Sequence, residues 1–321
     1  MRREILTELY NLKGEFISGN SLADSLGVSR VAVWKHIEAL KKEGYDITGI
    51  SGKGYSLNDW FSVINPDELE LQKQTSNLIK QVMFYPEVTS TNEIGKELLA
   101  DGKAKEGLLI IAARQLQGRG RLGRIWDSPL GGLWFSLVIK PNLPLHKLPL
   151  LSLVFALAIA RALDTFIDIP SEIKWPNDVF VEGKKISGIL LEVSGQLDNI
   201  DSVVVGMGIN INMSAEDLSI ENRESATSLW QVIGEQIPSS TILPVVLSYI
   251  EEYYYLFINE GFEQIRVEFK QKCLHLHKEV KVQRGSQVVT GINTDIDSQG
   301  TMVLKTETGI VSITTGDVEV I

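Results

Sequence analysis

Four short runs hold the residues best suited to chemistry. The most distinctive is Gln115-Leu116-Gln117-Gly118-Arg119-Gly120-Arg121-Leu122-Gly123-Arg124-Ile125-Trp126, where three glycines alternate with three arginines. Glycine lets backbone amides approach an anion closely. Arginine grips phosphate or carboxylate through a planar fork, and Trp126 offers a face for a base or ring. The second run is Lys174-Trp175-Pro176-Asn177-Asp178, a lysine at the end of a strand that proline stops, followed by a tight turn. Third is Val203-Val204-Val205-Gly206-Met207-Gly208-Ile209-Asn210, an apolar strand ending in small residues. It has no third glycine and no following helix, so it is not a dinucleotide fingerprint. Asn210 can read an adenine edge or pair with backbone. The fourth, Thr89-Ser90-Thr91-Asn92, places hydroxyls at a helix start, where they bind a polar ligand or merely cap. Read singly, each of these is also an ordinary loop, turn or cap.

These runs need a scaffold. Apolar strands are predicted at 108–113, 133–140, 186–193 and 202–209, and helices at 149–167, 241–258 and 261–272. A capping box at Ser90-Thr91-Asn92-Glu93 opens a helix that ends near Gly102. Ahead of this α/β region, residues 1–45 read as three short helices. The second begins at Ser21 and stops at Gly27; the third begins after Ser29 with a core stripe of Val33, Ile37 and Leu40. A short helix, a turn and a longer helix make a helix-turn-helix. Two strands around Gly52-Lys53-Gly54 add a wing. Residues 58–82 read as a linker and a helix starting at Asn65-Pro66-Asp67. Beyond Lys278, short alternating strands with turns at Arg284-Gly285-Ser286, Asp297–Gly300 and Glu307-Thr308-Gly309 predict a small β-barrel or sandwich.

Charge and composition narrow the classes. The 321-residue chain carries a net charge of -10. Residues 1–60 hold eight Lys/Arg and eight Asp/Glu, so the acidic excess lies wholly beyond them. A neutral module can still bind DNA through a local face, whereas four arginines between Arg114 and Arg124 with no carboxylate suit a small anionic ligand. A single cysteine, Cys273, excludes an intrachain disulfide and a thiolate zinc cluster. The histidines His36, His146, His275 and His277 are scattered, so no protein-held metal is expected. No apolar run follows Met1-Arg2-Arg3-Glu4, and the apolar stretch between Lys147 and Arg161 reads as a buried helix; no membrane association and a cytoplasmic location are expected.

Together the motifs resemble the bifunctional biotin–protein ligases that also repress the biotin operon. Ser90-Thr91-Asn92, the Gly118–Trp126 loop, Lys174–Asp178, Gly188-Ile189-Leu190-x-Glu192 and Gly206-x-Gly208-Ile209-Asn210 occur in that family's order, and Ser29-Arg30, Lys35-His36-Ile37 and Gly52–Leu57 resemble its DNA-binding segment. Trp34 departs from a small polar residue in the family's recognition helix. The resemblance implies an α+β multidomain chain: a winged helix-turn-helix at 1–62, a mixed α/β ligase domain of the class II synthetase-like type at 63–274, and a small C-terminal β-barrel at 275–321. It implies that ATP activates biotin as biotinyl-5′-AMP, and that biotin passes to a lysine of a biotin carboxyl carrier protein belonging to acetyl-CoA or pyruvate carboxylase. Mg²⁺ accompanies the nucleotide. Lys174, Arg119 and Arg121 are the implied catalytic residues. Ser90, Thr91, Asn92, Gln115 and Gly120 join them around biotin, and Arg124, Trp126, Asn177 and Asn210 around the adenylate. Ser29, Arg30, Val31, Trp34, Lys35 and Lys53 are implied on operator DNA, bound by a homodimer that the adenylate promotes. A lipoate–protein ligase and a non-catalytic ligand-sensing transcription factor are the competing readings.

Overall fold

The computed structural model describes residues 1–42, 45–58, 73–196 and 199–321. The expected helix start at Asn65-Pro66-Asp67 lies outside them. At the N-terminus stand α1 (Arg2–Asn11), α2 (Gly19–Leu26) and α3 (Arg30–Lys42), then β1 (Ile47–Ile50) and β2 (Gly54–Leu57), paired antiparallel as a wing. Ile5, Leu9, Leu22, Val33, Ile37, Leu40 and Leu57 close a small core of their own. The start of α2 differs from expectation. Ser18 is the cap, accepting from Ser21 N–H, and Gly27 ends the helix in a left-handed conformation. Ser21 lies one turn inside because Ser18 already meets the orphan amide.

A seven-stranded sheet follows: β3 (Gln81–Val88), β4 (Leu108–Gln115), β5 (Gly132–Ile139), β6 (Glu172–Lys174), β7 (Asp178–Val181), β8 (Lys184–Gln196) and β9 (Asn199–Asn210), in spatial order β3-β4-β5-β9-β8-β7-β6. Only the β3–β4 pair is parallel. Sequence patterning does not reveal β3, which carries Pro86; as an edge strand it tolerates the missing donor. The strand expected to end at Lys174 is β6, whereas its hairpin partner β7 is absent from the expectation.

One face of the sheet packs on α5 (Leu150–Leu163), α7 (Ser239–Glu260) and α8 (Glu263–Lys272); α6 (Leu229–Ile233) lies between α5 and α7 in the chain. Among the described residues, the stretch Leu145–Leu163 is long and apolar enough to cross a membrane. In the structure every residue of α5 except Ser152 and Arg161 is buried, so the helix serves as core. The opposite sheet face receives α4 (Thr91–Ala100).

β10 (Glu279–Arg284), β11 (Gln287–Ile296), β12 (Met302–Thr306), β13 (Gly309–Ile313) and β14 (Asp317–Val320) form an antiparallel sheet ordered β13-β12-β11-β10-β14. The hydrogen-bond ladder does not close into a barrel. Even so, the sheet must curl. Four strand spacings would hold flat edges about 19 Å apart, and the link from Ile313 to Asp317 reaches at most about 14 Å. Val280, Val282, Ile296, Met302 and Leu304 belong to the same core as α5, so this sheet is fused to the central body.

Candidate active site

The site lies on the α4 face of the large sheet, and strand register assembles its floor. Trp134, Gly208, Gly188, Asp178 and Lys174 stand directly opposite one another across β5, β9, β8, β7 and β6. The next row on the same face is Ser136, Gly206 and Leu190. Period-two alternation explains the Gly-x-Gly spacing: both glycines face the cavity while Val205 and Met207 enter the core. A side chain at Gly206 would sit 2.2 Å from Asn92 Oδ1, and one at Gly208 would sit 2.5 Å from Trp126 Nε1. The glycines are therefore seats for Asn92 and Trp126.

Asn92 is a brace. Its Nδ2 donates to Glu192 Oε2 at 2.8 Å and to Leu190 O at 3.3 Å, and its Oδ1 accepts from Ser136 Oγ at 2.6 Å. The expected Ser90 capping box does not form. Gln115 Oε1 takes the Thr91 N–H at 2.8 Å and the Thr91 hydroxyl at 3.1 Å, and Ser90 makes no side-chain cap. Gln115 Nε2 donates to Ser128 Oγ at 2.9 Å, tying the end of β4 to the far side of the arginine loop. Ser90, which makes no cap, is buried and lines the cavity.

The arginine loop folds back on itself, with Trp126 N–H bonded to Gly118 O and Gly120 N–H to Arg124 O. Its arginines diverge. Arg119 pairs with Glu93 at 2.9 Å. Lys96 bridges Glu93 and Glu192, and those two carboxylates hold its ammonium above the ordinary value although burial works the other way. Arg121 donates to Asn177 Oδ1 at 2.9 Å and to Thr315 Oγ1 at 3.2 Å, and Arg124 pairs with Asp317. Two loop arginines thus reach the C-terminal sheet, a link that sequence spacing does not show. Asn177 is also spent internally, donating to Ile189 O at 2.7 Å.

Trp126 lies over the glycine floor, and the Lys185 ammonium sits 4.8 Å from its ring centre while pairing with Asp178 at 2.8 Å. Lys185 is not among the residues the sequence singles out, because its only signal there is a second lysine beside a strand start. Asn210 Nδ2 donates to Thr227 O, and its Oδ1 remains available as an acceptor. Asn210 Oδ1, Asp178 Oδ1 and Trp126 Nε1 are buried without a hydrogen-bond partner, and all three residues line the cavity. Asp127 carries a carboxyl held below its usual range: burial opposes this, and bonds from Asn222 and Ser219 outweigh it.

These groups enclose a cavity of about 390 Å³ lined by Ser90, Thr91, Gln115, Arg119, Arg121, Lys174 and their neighbours. Among the described residues, neither Lys174 nor Arg121 has a carboxylate partner; the Lys174 ammonium only approaches the Phe180 ring, at 5.7 Å. No group of three or more His, Cys, Asp or Glu able to hold a metal occurs among the described residues.

The residues implied for DNA occupy the winged module. Ser29 caps α3 by accepting from Ala32 N–H at 3.2 Å. Val31 and Trp34 are the exposed large apolar residues of α3, 62% and 52% accessible. Arg30, Lys35 and Lys53 are exposed. Arg30 and Trp34 line a polar cleft between α3 and the wing.

The profile of the biotin/lipoate A/B protein ligase family matches residues 84–210, the segment that carries the glycine floor and the arginine loop. An HTH domain matches residues 2–56 and a biotin protein ligase C-terminal domain residues 275–320. The chain is 36% identical to the bifunctional ligase/repressor BirA of Bacillus subtilis over 99% of its own length and 98% of that protein's. It is 31% identical to the Escherichia coli protein of the same name, over 91% and 89%. A solved structure of biotin protein ligase from Aquifex aeolicus in complex with biotin and ATP superposes with a TM-score of 0.67 at 35% identity, covering 75% of this chain and 98% of that one. The chain belongs to the bifunctional ligase/repressor family of biotin protein ligases.

Proposed function

We propose that the protein joins biotin to a lysine of a biotin carboxyl carrier protein at the expense of ATP, and that the same chain represses biotin genes when the adenylate is bound. The observation that carries this reading is the convergence of Lys174 and Arg121, neither paired with a carboxylate, on a cavity with unpartnered polar atoms. In the first half-reaction a biotin carboxylate oxygen attacks the α-phosphorus and pyrophosphate leaves. Both reactants are anions, so fixed cations must offset their repulsion and the charge that develops. Lys174 and Arg121 are available for this, and Arg119 becomes available on release from Glu93. In the second half-reaction the carrier's lysine amine attacks the acyl carbon and AMP departs. No enzyme nucleophile is required.

Ser90, Thr91, Gln115 and Gly120 are assigned to the biotin end. Trp126, Arg124 and the acceptor Oδ1 of Asn210 are assigned to the nucleotide end. Asn92 and Asn177 act through Ser136 and Arg121 as positioning groups. Mg²⁺ on the nucleotide would neutralise phosphate charge, and Asp178 Oδ1 is an oxygen of the kind it takes alongside phosphates.

Residues 1–62 form the operator-binding module, 63–274 the ligase domain and 275–321 the C-terminal domain. Ser29, Arg30, Val31, Trp34, Lys35 and Lys53 face DNA. A near-neutral module makes few phosphate contacts, which favours a homodimer on a two-fold operator. The carrier, from acetyl-CoA or pyruvate carboxylase, and the operator place the protein in the cytoplasm. Pyrophosphate release with ATP plus either biotin or lipoate tests the assignment. Turnover with biotin alone is expected. Preference for lipoate would move the chain to the lipoate ligases, and no turnover with either would leave a sensor without catalysis.

A further inference from the structure

The strand that ends at Lys174 is gripped from behind by the C-terminal segment. Leu274 N–H donates to Ile173 O at 2.9 Å, and the Trp175 indole donates to Gly300 O at 2.9 Å. A third bond runs from the Trp175 backbone N–H to Nε2 of His275, also at 2.9 Å, and the imidazole is fully buried. A peptide N–H can only donate, so Nε2 is the unprotonated nitrogen and the neutral ring carries its proton on Nδ1. Around Nδ1 stand the Asn293 side-chain amide at 3.0 Å and Cys273 Sγ at 3.4 Å. Asn293 Oδ1 is buried without a partner; half a turn of that amide supplies Nδ1–H with its acceptor. Asn293 lies on β11 of the C-terminal sheet. Burial and the nearby charges of Lys174 and Lys278 together keep the ring neutral, its pKa lowered to about 4.

We propose that His275 is a positioning residue for the adenylation step. Its Nε2 fixes the peptide that follows Lys174, and its Nδ1–H ties that peptide to Asn293, so the C-terminal sheet sets where the Lys174 ammonium points. This deepens the ligase reading and rests on Lys174 serving the reacting phosphate.

Three full-length variants separate the two ring nitrogens. In His275→Gln the new amide places an atom near the position of Nε2. In His275→Asn the shorter amide reaches only that of Nδ1, and in His275→Leu the side chain fills space with neither. In a biotin- and ATP-dependent pyrophosphate assay, His275→Leu is expected to lower kcat by about tenfold to a hundredfold, the scale of a 1 Å misplacement. KM for biotin and for ATP should change by less than about twofold, because His275 touches neither site. His275→Gln should recover most of the loss and His275→Asn should not. Equal kcat for the glutamine and asparagine variants overturns the proposal, as does a His275→Leu enzyme with wild-type kcat. Nitrogen-15 NMR of the wild-type chain gives a reading that does not depend on variant folding: a proton on Nδ1 supports the assignment, and one on Nε2 refutes it. A Lys174→Ala enzyme of full activity would instead defeat the assignment of Lys174 to the reacting phosphate while leaving the tautomer intact.

Discussion

Replacing Gly208 by alanine should damage nucleotide binding and spare biotin. The added methyl would lie 2.5 Å from Trp126 Nε1, 2.8 Å from Cε2 and 3.1 Å from Cζ2. Ordinary carbon contacts need about 3.5–4.0 Å, so the indole must rise by roughly 1 Å along its five-membered edge. The Trp126 backbone resists, being bonded to Gly118 O. The ring therefore tilts and loses its face-on geometry toward a base. Aromatic–base stacking contributes about 1–3 kcal/mol, which predicts a rise in KM for ATP of roughly fivefold to 150-fold. KM for biotin should stay within about twofold, because Thr91 and Asn92 rest on the neighbouring row at Ser136 and Gly206. Steady-state pyrophosphate release with each substrate varied in turn measures both. A Trp126→Ala enzyme should make the second substitution silent, since the clash disappears with the ring. Equal rises in both KM values, or a full Gly208→Ala effect in the Trp126→Ala background, would refute this use of the glycine row.

Lys174→Ala should cut adenylate formation by at least about two orders of magnitude, the loss of one charge-stabilising group, read as pyrophosphate release at saturating biotin. Arg121→Gly removes the tie to Asn177 and Thr315, so activated biotin should escape and label unrelated proteins; a biotin blot confined to the carrier would contradict that. Acid should destabilise the fold through His275. Its folded pKa, about 4, lies below the unfolded value of about 6.5, so the unfolded chain binds the proton first and stability is lost as pH falls through that window, by roughly 2 kcal/mol between pH 7 and pH 5. Urea unfolding at both pH values should show this drop, reduced in His275→Gln. Biotin plus ATP should tighten binding to an inverted-repeat operator by linkage, and gel-shift titrations should lose that effect in Lys174→Ala.

The ingredients of the site were legible because local spacing carries them. Apolar runs mark four of the seven central strands, and the glycine–arginine run announces a loop for anions. What one strand cannot announce is its partner. Gly206 and Gly208 read as a small-residue strand end until register sets them under Asn92 and Trp126. Asn177 and Arg124 bond Arg121 and Asp317, partners from distant segments that their own spacing does not announce. The capping of α4 escapes the sequence for a related reason: the helix starts at Thr91 as its spacing implies, but Gln115, 24 residues on, accepts the Thr91 amide and Ser90 makes no side-chain cap. β3 was hidden because an edge strand with proline lacks the usual pattern. His275 looked like one of four scattered histidines, and only the fold sets it against Trp175.

Under the proposed function, one cavity makes a mixed anhydride before any carrier protein arrives. Radiolabelled pyrophosphate exchange into ATP tests it directly. With biotin present and carrier absent, wild-type protein should return label to ATP, and Lys174→Ala should not. Exchange that proceeds without biotin, or that appears only when the carrier is added, would contradict an adenylate held in this site.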